Sequence, residues 1–186
     1  MELTDNLIIL CKQHDRKALN ELYRLLYMPL MSVCIRYGKK DHEGASLFNQ
    51  AFLKIVQNID RKKPEVPFMA WSKRILINII IDEFRKGSQK KLQLFYYENL
   101  KDEVQNINYN EIEHLISQEY LMELINKLPT RTAQVFNLFV LDNYEHKEIA
   151  EALDISISNS KWHLQSARNK LSTMITTLKL QNCINE

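Results

Sequence analysis

Only 3 glycines and 4 prolines occur among the 186 residues. A sandwich, barrel or Rossmann sheet needs many turns built on such residues, so their scarcity argues against those folds and favours long helices. Cysteine is equally sparse. Cys11, Cys34 and Cys183 are odd in number, far apart and without a CxxC pair, which argues against a disulfide framework or a zinc site. The longest apolar stretch, Ile75 to Ile81, is interrupted by Asn78, and the opening Met1-Glu2-Leu3-Thr4-Asp5 lacks the basic start and cleavage site of a signal peptide. The expectation is a protein of the reducing cytoplasm, neither exported nor inserted in a membrane. HExxH, nucleophile-elbow and Gly-rich phosphate motifs are absent, and His14, His42, His114, His146 and His163 are scattered over separate elements. Neither catalysis nor a metal or other cofactor is expected.

What is present is an ordinary globular composition, 45% hydrophobic and 26% charged, enough to bury a core. The net charge of +2 conceals a segregation. Residues 1–95 carry 17 Lys/Arg against 10 Asp/Glu, residues 96–128 carry 2 against 7, and residues 129–186 carry 6 of each, with Lys161, Arg168, Lys170 and Lys179 gathered near the end. Two basic regions flanking an acidic middle suit a polyanion touched at two places; solvated helix faces would give the same count.

Helical periodicity runs through most of the chain. Ala18, Leu19, Leu22, Leu25 and Leu26 predict a first helix over 15–27 capped by Asp15; Pro29 predicts an interruption; Leu30, Val33, Cys34 and Tyr37 predict a second helix stopped at Gly38. Phe48, Ala51, Phe52, Ile55, Val56 and Ile59 make the strongest stripe, a helix over 45–59. The basic loop Arg61-Lys62-Lys63 leads through Pro67 into a helix over 67–86. In it Phe68, Trp71, Ile75, Leu76, Ile79, Ile80 and Phe84 can face inward, while Arg74, Asn78, Asp82 and Arg85 form a polar line. Residues 91–111 read as a linker. From Ile112 a further helix reaches Leu128, Thr130 is expected to cap its successor, and Val135 to Leu141 form that successor. The fold class expected is therefore all-α: two small helical domains, 1–90 and 112–186, joined by the linker.

Residues Glu145 to Leu164 have helix-turn-helix spacing. Ile149, Ala150 and Leu153 pack inward, Asp154 takes a turn position that needs left-handed backbone, and Ser156 caps the second helix. Left facing outward are Asn159, Ser160, Lys161, Trp162, His163, Gln165 and Arg168, groups suited to base edges or phosphates in a major groove. A plain helical hairpin would share the spacing.

The run Lys147-Glu148-Ile149-Ala150-Glu151-Ala152-Leu153-Asp154-Ile155-Ser156, with Lys161 and Ala167-Arg168-Asn169-Lys170-Leu171 after it, resembles the C-terminal promoter-reading domain of bacterial sigma-70 family factors. Ala18-Leu19-Asn20-Glu21-Leu22-Tyr23 is similar to that family's first helix, Gln50-Ala51-Phe52-Leu53-Lys54-Ile55 to its polymerase-binding helix, and Phe68 to Asn78 to its promoter-melting helix. The order and the short linker resemble the extracytoplasmic-function (ECF) class. The resemblance implies a sigma factor whose partners are core RNA polymerase, promoter DNA and an anti-sigma factor.

It also implies residue roles. Leu47, Phe48, Asn49, Gln50 and Phe52 would contact the polymerase clamp. Family members commonly carry acidic residues there, whereas Ser46, Asn49 and Gln50 are neutral, so apolar burial would dominate. Phe48 and Phe52 also fit the inward stripe, and core is the preferred role for Phe52. Arg61, Lys62, Lys63, Trp71, Lys73, Arg74, Asn78, Asp82, Arg85 and Lys86 would hold the opened minus-10 element, where cations meet phosphates and unpaired bases stack or are pocketed; Trp71 fits core equally well. Asn159, Ser160, Lys161, Trp162, His163, Gln165 and Arg168 would meet the minus-35 element. Glu145 stands where a hydroxyl cap is usual, and Trp162, His163 and Gln165 replace a smaller, more basic pattern. The alternative is a conventional helix-turn-helix regulator with an N-terminal dimerisation or ligand-sensing domain.

Overall fold

The computed structural model describes residues 3–38, 41–89 and 118–184, and every regular element within them is helical. The chain divides into two compact units, Met1–Lys90 and Lys91–Glu186. The expected linker 91–111, together with Ile112, His114, Leu115 and Ile116, lies outside the described residues.

In the first unit, α1 (Asp5–Lys12) precedes α2 (Arg16–Arg36). Helix α1 lies outside the helices that periodicity predicts. It is short, its Thr4 side chain accepts a hydrogen bond from Leu7 N at 3.3 Å, and only Leu7 and Cys11 are buried. A left-handed His14 (φ 58) turns the chain, and Asp15 caps α2 as expected, accepting from Ala18 N at 2.8 Å. Pro29 does not interrupt α2. The buried stripe Ala18, Leu22, Leu26, Leu30, Val33 and Cys34 runs straight past it, and burying six side chains at roughly 1.5–3 kcal/mol for each large one outweighs the ~3 kcal/mol that an internal proline costs. The helix ends where Gly38 takes φ 71, a value that penalises any residue with a Cβ.

Helix α3 (Asp41–Asn58) starts a turn earlier than periodicity suggests and tightens into a 3-10 turn, Ile59–Arg61. Helix α4 (Phe68–Gln89) follows the proline loop. It packs on both α2 and α3, which is why Ile77 and Ile81 are buried as well as Phe68, Leu76, Ile79 and Ile80. Trp71, Ile75 and Phe84 are half-buried. Cys11 and Cys34 are buried free thiols; burial pushes Cys34 up to about 11, and its Sγ lies 3.7 Å from Gly44 O.

The second unit comprises α5 (Gln118–Asn126), α6 (Thr130–Phe136), α7 (His146–Leu153) and α8 (Ile157–Ile184). Thr130 is not the cap of α6. It is the first helical residue, and Pro129 occupies the cap position with no side-chain bond. Helix α6 runs on into a π-helical turn, Asn137–Leu141. Helix α8 lies against α5, α6 and α7, burying Ser160, Leu164, Ala167, Leu171 and Ile175.

Phe48 is fully buried between two aromatic neighbours on α2, Tyr23 and Tyr27, at ring separations of 4.9 and 5.1 Å. Phe48→Ala should therefore destabilise the first unit by about 3–5 kcal/mol; denaturant unfolding of the full chain measures it.

Candidate nucleic-acid interfaces

Helix α4 owes its open side to its closed one. Once Leu76 and Ile80 are inside, 3.6-residue geometry carries Lys73, Arg74, Asn78, Asp82, Arg85 and Lys86 to solvent, and all six are exposed. Lys86 Nζ pairs with Glu83 at 3.1 Å. Arg61 and Lys63 of the preceding loop are exposed, and Lys62 is half-buried with its Nζ donating to Lys63 O at 2.8 Å. Trp71 packs one face near Phe68, with ring centroids 5.5 Å apart, and leaves part of its surface in water. The whole set thus shares one stretch of chain, with Arg61, Lys63, Lys73, Arg74, Arg85 and Lys86 exposed on the loop or the helix. It can attract phosphates and offer an aromatic edge.

On α3 the sequence-based assignment needs correction. Leu47 (3% exposed) and Phe48 (0%) are core, so neither can touch a partner without unfolding the unit. Asn49 and Gln50 are exposed, and Phe52, the residue preferred for the core, is half-exposed. Its ring meets Tyr23 edge-on at 5.0 Å, and the Tyr23 hydroxyl donates to Asn49 Oδ1 at 3.1 Å. Next in the chain to Phe52 and to Tyr27 respectively, Leu53 is 57% exposed and Met28 73%. Tyr23, Tyr27, Met28 and Leu53 thus share the open side with the residues that spacing pointed to. Spacing could have found Leu53, which lies off the Phe48, Ala51, Ile55 stripe; the two tyrosines come from another helix and meet α3 only through packing.

The helix-turn-helix forms as its spacing implies. Asp154 takes φ 54, ψ 54, Ile155 N donates to Ala150 O at 3.0 Å, and Ser156 Oγ accepts from Asn159 N at 3.0 Å. Glu145 does the work of the missing hydroxyl cap through a reciprocal arrangement in which its own N–H donates to the Glu148 carboxylate at 2.9 Å.

Two residues placed on the outer face point inward instead. Ser160 is fully buried, its Oγ 2.9 Å from His146 Nδ1. His163 is half-buried with Nδ1 3.2 Å from Thr132 Oγ1 of α6. Both lie on the α8 side that packs against the neighbouring helices, where a polar group is tolerated only when it finds a partner. The His146 ring also stacks on Phe139 at 4.5 Å. Burial holds both histidines below the usual imidazole pKa, helped at His146 by Lys161 and Arg168 and at His163 by Arg131. Lys161 and Trp162 remain exposed; Asn159, Gln165 and Arg168 are half-buried, with Gln165 donating to Asn169 at 2.9 Å. Among the described residues no cluster of His, Cys, Asp or Glu could hold a metal, and no helix is long and apolar enough to cross a membrane.

Residues 22–90 match the family model of Sigma-70 region 2, and residues 118–171 that of Sigma-70, region 4. The ECF RNA polymerase sigma factor SigW of Bacillus subtilis (strain 168) is 24% identical over 178 residues, which is 90% of this chain and 94% of the relative. Among solved structures, the sigma factor RpoE from Bartonella quintana, crystallised with the anti-sigma factor NepR, shares the fold at a TM-score of 0.50 and 17% identity, over 86% of this chain and 98% of that one. With region 2 accounting for the N-terminal half, a sensing or dimerising regulator is not favoured.

The two depressed histidines carry a sign. Each accepts a proton near pH 6.5 when unfolded but resists it when folded, so the unfolded chain binds more protons and stability falls as pH drops below about 6.5, while it is full above that value. The melting temperature of the second unit within the full chain should fall between pH 7.5 and 5.5, and a His146→Asn, His163→Asn double variant should show a shallower fall.

Proposed function

The chain belongs to the sigma-70 family of RNA polymerase sigma factors, in the ECF class, and we propose how its residues divide the work of a promoter-specific initiation factor. The family's members are initiation factors rather than enzymes, and this chain contributes binding energy to a reaction whose chemistry belongs to the polymerase. The reading is carried by one observation: an exposed cationic line on α4 and a helix-turn-helix at α7–α8 stand in the two segments, and in the order, that match sigma regions 2 and 4.

The open side of α3 docks on core polymerase through Asn49, Gln50, Phe52 and Leu53, with Tyr27 and Met28 of α2 beside them. No ionised side chain stands among these six, so the contact is driven by apolar burial. The α4 line, led by Arg74 and Asn78, with Lys73, Asp82, Arg85, Lys86, Trp71 and the loop Arg61, Lys62, Lys63, holds the minus-10 strand after it opens. Cations grip its phosphates and the half-exposed indole gives an unpaired base a surface to rest on. Helix α8 enters the major groove of the minus-35 element with Lys161, Trp162, Asn159, Gln165 and Arg168; Ser160 and His163 position that helix instead of touching DNA. The chain works in the cytoplasm, without cofactor or metal, and an anti-sigma protein holds it until release, as NepR is seen with RpoE.

The decisive test is reconstitution with core polymerase followed by mapping of transcription starts; a folded chain that neither binds the polymerase nor directs it to defined starts overturns the reading. Leu53→Asp should leave the melting temperature nearly unchanged and weaken polymerase binding at least about tenfold, a loss of ~1.4 kcal/mol. Arg74→Ala should lower open-complex formation, read by permanganate footprinting, with polymerase binding intact. Lys161→Ala should reduce the salt slope of duplex binding by about one.

A further inference from the structure

Helix α8 presents an unusual surface to a polyanion. Two large apolar side chains are open to water on its N-terminal half, Ile157 (46% exposed) and Trp162 (42%). Trp162 lies on the side opposite the buried Ser160, Leu164 and Ala167. Lys161 is the only cation between Ile157 and Gln165, and no arginine is present there to take guanine through a two-pronged bond. The indole is also steered: its ring meets His163 edge-on at 4.9 Å, and His163 is tied to Thr132 of α6. A group so held loses little freedom on binding.

An apolar side chain laid against the polar edges of base pairs strips water from donors and acceptors and returns no hydrogen bond. The major-groove edge offers one apolar group among the four bases, the 5-methyl of thymine. We propose that α8 selects thymine in the minus-35 element through that methyl group, with Trp162 as the contacting residue and Ile157 as a second apolar contact. The inference rests on the sigma-factor reading, and it names what that reading leaves open: the base chemistry on which this recognition helix depends. Trp162 is then a specificity-determining residue, and His163, which never reaches the DNA, is its positioning residue.

The test uses holoenzyme reconstituted from the full chain and core polymerase. Duplexes with a randomised minus-35 segment are selected by binding, and each enriched thymine is replaced singly by deoxyuridine, which deletes the methyl and keeps every hydrogen-bonding group. At one or two positions the uracil duplex should bind about fivefold more weakly, whereas Trp162→Ala holoenzyme should bind the thymine and uracil duplexes equally. Because Trp162 projects from the surface, the variant should keep the parent's melting temperature; Trp162→Phe, which retains an apolar ring, should keep part of the preference. His163→Ala should lower the thymine-to-uracil ratio without altering the salt slope. Indifference of the parent to the methyl at every selected thymine, or a full ratio in Trp162→Ala, overturns the proposal and leaves the sigma-factor reading standing. Failure of the holoenzyme to enrich any duplex overturns both.

Discussion

The direction in which α4 and α8 present their cations depends on how each helix is rotated about its own axis, and burial sets that rotation. Leu76 and Ile80 of α4 are wholly enclosed by α2 and α3, and Leu164 and Ala167 of α8 by its helical neighbours. Helix α4, packed on two neighbours, commits a broad arc that includes Ile77 and Ile81 as well as Leu76 and Ile80, and α8 commits the stripe Ser160, Leu164, Ala167 and Leu171. The remainder is delivered to solvent with its cations in line, since side chains on a helix cannot be re-aimed independently. A small slip in packing would re-aim Arg74 or Lys161 together with the rest of its helix face.

The first unit leaves an uncharged, partly apolar face open on α2 and α3. Phe48 sits at the centre of an aromatic group contributed by two helices, edge-on to Tyr23 and Tyr27, an arrangement that matches ring edges to ring faces. Phe52 lies at the margin of this group, with Leu53 beyond it. Apolar atoms at the margin of this core that α2 and α3 do not cover stay open at the rim, beside the Tyr23 to Asn49 hydrogen bond.

In the second unit, polar groups do part of the packing. Ser160 stands on the buried stripe of α8, where an aliphatic side chain would contribute more burial. It gives a direction instead, because the hydrogen bond to His146 defines a distance between α7 and α8, and the His163 to Thr132 contact does the same between α8 and α6. Hydrogen bonds discriminate among packings that hydrophobic contact alone treats as nearly equal. Keeping both imidazoles neutral avoids placing a charge inside the unit, at the cost of sensitivity to acid.

Local chemistry was legible in the amino-acid order: the caps at Asp15 and Ser156, the left-handed Asp154, the stop at Gly38 and the amphipathic stripes each follow from a few neighbouring residues. The family resemblance rests on the same short runs. Position in three dimensions was not legible wherever a residue's fate depends on distant chain. Pro29 stays within a helix because a continuous stripe is buried on other elements, and α1 is too short to announce itself before it packs. Leu47 and Phe48 fall inside while Phe52 and Leu53 reach the rim because α2 and α4 together enclose only part of the circumference of α3. Ser160 and His163 turn inward because His146 and Thr132 wait there as partners. Periodicity reports that a helix has an apolar side, but only the packed neighbours decide how far round the helix that side extends and which polar groups it encloses.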